Sequence, residues 1–137
     1  MRSRGSEDGS VLLLTLGYVL LALAVIFVCV CATDLYIAQK RLDALADSAA
    51  LAGADGFTVV AGDGAVRAAL SDAGVEEQAT ALVAELPGEA AVVRAGTPDG
   101  VSARVTVTAD WHPPLLTLFV PDGVALESTA TSRTALW

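Results

Sequence analysis

The residues able to do chemistry are few and poorly grouped. His112 is the only histidine, and it is followed at once by two prolines. A Ser-His-Asp or Cys-His arrangement would therefore hang on one base in a bend. Cys29 and Cys31 are two apart. On a helix that spacing points them to nearly opposite sides, so they cannot pair, and small apolar residues in lipid is the simpler reading. Two cysteines and one histidine are also too few for a Cys/His zinc site. Glu76 and Glu77 read as a solvated helix start, where the helix dipole favours negative charge. Gly62-x-Gly64 lacks the later glycine and lysine of a phosphate loop. These positions predict neither catalysis, nor a metal, nor a cofactor.

The balance of charge narrows the partners. The 137 residues carry a formal net charge of −8. Such a chain does not neutralise phosphates, so nucleic acid is excluded as the expected partner. Hydrophobic residues make up 54%, which argues against disorder. Their distribution is uneven.

No charged residue lies between Asp8 and Asp34. Within that gap the apolar stretch from Val11 through Leu20 to Ala32 gives about 33 Å of helix, enough to cross a hydrocarbon core of about 30 Å. Its Leu, Ile, Val and Phe residues favour insertion by roughly 4–8 kcal/mol. A cleaved signal peptide would have a shorter apolar region, so the pattern predicts a signal anchor. Arg2 and Arg4 precede the span, while Lys40 and Arg41 follow it. The short tail is therefore expected in the cytoplasm, with the rest of the chain outside.

The helix is expected to continue past the membrane to about Ala54. Leu35, Ala38, Leu42, Leu45, Ala49 and Ala52 fall on one seam at alternating spacings of three and four. Small residues near its end, at Ala46, Ala50 and Ala54 and at Ala49 and Gly53, permit close approach of another helix or sheet. The seam serves the chain's own domain, other subunits, or both.

Beyond Asp55-Gly56 the reading is a small α+β domain. A short helix is expected after Asp63 as N-cap, through Val66, Ala69 and Leu70, stopped by Gly74. VEEQATALVAEL predicts a second short helix, ended by Pro87-Gly88. From Ala90 the period changes to two. AVVRAG, VSARVTVTAD and the stretch from Val124 predict about three antiparallel strands, joined in part by Pro98-Asp99-Gly100 and Pro121-Asp122-Gly123. Leu115, Leu116, Leu118 and Phe119 form an apolar loop: a lid on the core, or a contact with membrane or partner. The apolar face of the sheet needs cover, and the helix seam is the available cover. The expected division is a cytoplasmic tail over 1–10, a membrane helix over 11–33, its extension over 34–55, and the outer domain over 56–137.

The N-terminal half of this pattern resembles the TadE/TadG-like proteins of the Flp (Tad) pilus assembly system. The matching positions are Gly9-Ser10 before the apolar helix, Asp34 just after it, and Asp47-Ser48-Ala49-Ala50-Leu51-Ala52-Gly53-Ala54. The resemblance covers about the first 55 residues and implies a pilin-like, membrane-anchored, extracytoplasmic component of an adhesive pilus. Its expected partners are the membrane and other pilus or assembly subunits, reached through the long helix. One position departs from the pilin pattern. Type IV pilins usually carry Glu five residues after the cleavage glycine, and here Leu14 stands there. That argues against prepilin-peptidase processing and against a major fibre subunit. The alternative of a different class is a signal-anchored binding module for an envelope ligand or partner protein.

Overall fold

The computed structural model describes the backbone of residues 5–135 except 63, 115, 118 and 120, and side chains from residue 9 onward. The chain divides into two compact units, one ending at Leu35 and the other beginning at Tyr36.

One helix, α1, runs from Gly5 to Asp55 without a break at Asp34. Through the apolar stretch it is long and apolar enough to cross a membrane, and none of its most apolar window is buried by protein. Among the described residues nothing covers that window, and a helix apolar on every face favours apolar surroundings. The Thr15 hydroxyl within it is satisfied locally, since Thr15 Oγ1 donates to Val11 O at 2.8 Å.

The second unit is α+β. It holds the end of α1, a hairpin of β1 (Thr58–Gly62) and β2 (Ala65–Ala69), helix α2 (Asp72–Glu85), and strands β3 (Ala91–Gly96), β4 (Ser102–Trp111) and β5 (Val124–Arg133). The last three form an antiparallel sheet in the order β3-β4-β5. The sheet and its three strands are those the period-two patterns predict. Val105 pairs with Ala95 on one side and Ala130 on the other, which keeps the apolar positions on one face.

Two expectations are overturned between Gly56 and Gly74. The segment through Val66 and Ala69 is a strand paired with β1, in register from Thr58↔Ala69 to Gly62↔Ala65. The pairing closes at Gly62↔Ala65, and the sequence between them, Asp63-Gly64, is a dipeptide that favours tight hairpins. Gly64 supplies the positive φ, at 79°. The N-cap role given to Asp63 falls on a residue outside those described. The actual N-cap is Ser71, whose Oγ accepts from Gly74 N at 3.1 Å. Gly74 therefore lies in the first turn of α2 rather than stopping a helix, and Glu76 and Glu77 sit one turn further in than expected. One short helix stands where two were expected.

The core joins α1, α2 and the sheet. It comprises Leu42, Ala46, Ala49, Ala50 and Ala54 of α1, Val75, Ala79 and Val83 of α2, and Ala103, Val105, Val107 and Ala130 of the sheet, with Leu70. These are nearly all Ala and Val. Small volumes bring backbones close, so stability here depends on tight approach. Ser102 and Thr106, on the opposite face of β4, are also buried. Ser102 Oγ donates to Asp99 Oδ2 at 2.9 Å, and Thr106 Oγ1 shares a 2.8 Å hydrogen bond with Thr129 Oγ1.

Candidate assembly surface

Within the second unit α1 presents two opposed faces. The buried one carries Leu42, Ala46, Ala49, Ala50, Gly53 and Ala54, at spacings of four, three, one, three and one. Leu42 and Ala49 of the expected seam lie on it, while Leu35, Ala38, Leu45 and Ala52 are half-buried. The face is centred on the smallest side chains, because those permit the closest contact. At Gly53 a Cβ atom would stand 2.9 Å from Val75 Cγ1 and 3.3 Å from Ala103 Cβ. This explains Gly at that position: α2 and β4 both press on the helix there.

The opposite face is free. Ile37, Ala44 and Leu51 are spaced by seven and exposed, Leu51 by 56% and Ile37 by 42%. Seven-residue spacing keeps the three in one line along a helix. Asp47 and Ser48 are exposed as well. The Asp47–Ala54 element thus splits by role: Ala49, Ala50, Gly53 and Ala54 hold the domain together, while Asp47, Ser48 and Leu51 face outward. Beside this free face, Arg41, Ala44, Leu45 and Ser48 and the turn from Leu86 to Ala90 line a groove of about 540 Å³.

A polar clamp ties the same helix to β5. Ser128 Oγ donates to Asp43 Oδ1 at 2.8 Å, and Gln39 Nε2 donates to the same oxygen at 3.0 Å. Gln39 Nε2 also reaches Glu127 O at 3.3 Å. Lys40 Nζ donates to Asp43 Oδ2 at 3.0 Å, with the ammonium 5.8 Å from the Tyr36 ring centroid. The Ser128 hydrogen bond, then those from Gln39 and Lys40, hold the Asp43 carboxyl down at about 2. The sequence offered no signal for this clamp, since its partners lie 85 residues apart.

The remaining positions are simply placed. Gly9, Ser10, Val11, Leu20, Ala32 and Asp34 are exposed on α1. Cys29 and Cys31 are free thiols. In the apolar loop Leu116 is half-buried and Phe119 is 79% exposed; Leu115 and Leu118 lie outside the described residues. His112 is exposed. Among the described residues no group of three or more His, Cys, Asp or Glu side chains could hold a metal.

No curated protein matches the chain, and no solved structure does. Residues 9–56, the stretch that comprises nearly all of α1, match the family described as "Putative Flp pilus-assembly TadE/G-like", which shows over those residues the resemblance that Gly9-Ser10, Asp34 and Asp47–Ala54 carry.

Proposed function

We propose that this chain is a non-catalytic, membrane-anchored component of a Flp (Tad)-type pilus assembly system, a minor pilin-like subunit or assembly factor. The span over 11–33 anchors it, the N-terminal tail stays in the cytoplasm, and the domain from residue 56 lies outside. The observation that carries this reading is the agreement between the family match at 9–56 and the boundaries of α1. The matched helix has an uncovered apolar half and a second half whose free face presents Ile37, Ala44 and Leu51. That face, with the adjoining groove, is where another subunit's helix packs.

The test is made in the native host with the full-length chain. Deleting the gene is expected to remove surface pili, and complementation with Leu51→Glu is expected to leave the protein folded and membrane-bound without restoring them. Normal piliation of the deletion strain would sink the reading. Mass spectrometry of the N-terminus separates the anchor from its competitors: a start at Met1 or Arg2 is expected, whereas a start at Thr33 would mean a secreted domain.

A further inference from the structure

The loop between β4 and β5 carries bare apolar surface, and the alignment of α1 on the sheet fixes where that loop lies. Gly53 of α1 is pressed by Ala103 of β4. Asp43 of α1 accepts from Ser128 of β5, and Ser128 pairs with Val107. The helix from Asp43 to Gly53, about 15 Å, thus lies beside the strand from Val107 to Ala103, about 13 Å. Within this unit α1 runs antiparallel to β4. The ladder continues past Ser128 to its last pair, Trp111↔Val124. From Ser128 to Val124 is about another 13 Å of strand, equal to about nine residues of helix. Counted back from Asp43, that brings the end of the sheet level with the first residues of the unit, at Tyr36. The loop over 112–123 springs from this end. Tyr36 is two positions from Asp34, the first charge after the apolar stretch.

The composition of the loop suits that level. Residues 111–121 form the longest stretch after Leu35 without Asp, Glu, Lys or Arg. Pro113 is buried at its base. Leu116 N donates to Pro113 O at 3.2 Å and Phe119 N to Leu116 O at 2.9 Å, so two successive turns hold the path to Phe119. The Phe119 side chain is 79% exposed, more than any other exposed large hydrophobic residue described, those of the uncovered span included. It is therefore no lid on the core, and its ring is disfavoured in water in proportion to its apolar area. Tyr36, at the same level, is also exposed, with the Lys40 ammonium 5.8 Å from its ring centroid. An exposed aromatic ring beside a long cationic side chain suits the water–lipid boundary. Asp110 and Asp122 flank the uncharged stretch and are exposed. Carboxylates are costly in hydrocarbon, so they hold the loop at the boundary and out of the bilayer interior.

We propose that the β4–β5 loop is a second membrane contact, with Leu116 and Phe119 entering the lipid interface beside the point where α1 leaves it. The proposal rests on the anchoring of α1 and not on the pilus reading. Lipid is favoured over a protein partner because the loop adjoins the boundary that the anchor already sets. A single span leaves a domain free to turn about the helix axis, and a second contact fixes which of its surfaces face sideways to neighbouring subunits.

Spin labels on the full-length chain in phosphatidylcholine vesicles test it, in a Cys29→Ala/Cys31→Ala background. Nitroxides are attached singly through Phe119→Cys, through Val66→Cys on the hairpin, and through Leu20→Cys in the span. Each is measured for access to oxygen, which concentrates in lipid, and to a nickel chelate, which stays in water. The oxygen-to-chelate ratio at residue 119 is expected to be several-fold above that at residue 66 and closer to that at residue 20. Thr117→Cys, also exposed, serves if circular dichroism shows Phe119→Cys to be misfolded. Equal ratios at 119 and 66, with residue 20 in lipid, overturn the loop contact alone. Chelate access at residue 20 overturns the anchor and the contact together. Low access to both reagents at 119 places protein over the loop and overturns the proposal as well.

Discussion

Asp43 shows what a single side chain does in this fold. Its carboxylate collects hydrogen bonds from Ser128, Gln39 and Lys40 and is held at about 2, below the ordinary value of 3.8. A carboxyl whose pKa is lower folded than unfolded contributes stability above the unfolded value and loses it as pH falls through the folded one. The contribution is therefore present above about 4 and disappears as pH falls toward about 2. Thermal unfolding of the full chain between pH 6 and 2 should show Asp43→Asn closing the gap to wild type at the acid end; a constant gap would mean the clamp is not the cause. Asp99 behaves similarly on a smaller scale. The backbone N–H of Val101 and the side chain and N–H of Ser102 lower its pKa and shape the turn into β4, where Gly100 adopts φ 77°. Gly100→Ala is expected to cost about 1–2 kcal/mol, because L-residues resist that conformation, although its Cβ would meet no atom within 4 Å.

At the scale of elements, two glycines of α1 make opposite predictions. Gly17 has open space around it, so Gly17→Ala removes a flexible residue and favours the helix by about 0.5–1 kcal/mol. Gly53 is pressed by Val75 and Ala103, and Gly53→Val overpacks that contact by about 1–3 kcal/mol. Denaturation of both variants in the same detergent should move them in opposite directions, and a destabilised Gly17→Ala with a neutral Gly53→Val would contradict the packing described. Elements differ in how plainly their residues announced them. The long helix was legible because its apolar run and its later three-and-four spacing meet without a proline or glycine until Gly53, apart from Gly17. Strand β4 was legible because Val, Ala and Thr alternate without a fault. Segment 58–69 was not: Val66, Ala69 and Leu70 mimic helical spacing over so short a stretch that periodicity cannot decide, and the Asp-Gly dipeptide in the sequence carried the better signal. The buried face of α1 was visible in outline, but its centre on Ala46, Ala50 and Gly53 depends on which neighbours approach, and these come from α2 and β4.

At the scale of the whole molecule, the core is built with little bulk. Val75, Val105 and Val107 are its largest fully buried side chains, so losing two methyl groups from one removes a large share of what there is. Val105→Ala is expected to cost about 2 kcal/mol, a serious loss against a total of about 5–15 kcal/mol. Unfolding the full chain in detergent should reveal it as a lower midpoint with an unchanged denaturant slope. The apolar half of α1 predicts that full-length chain remains in the membrane pellet after alkaline carbonate washing; recovery in the supernatant would contradict the anchor.

The clamp between Asp43 and Ser128 also sets an order of events. Its two ends are separated by 85 residues, and β4 and β5 supply Ala103, Val105, Val107 and Ala130 to the same contact. During synthesis the alanine-rich face emerges early, and the strands that cover it emerge last. Until then a nascent chain holds that surface bare, able to stick to whatever is near. The order of synthesis thus makes the exposed interval of that surface as long as the chain from the end of α1 to β5.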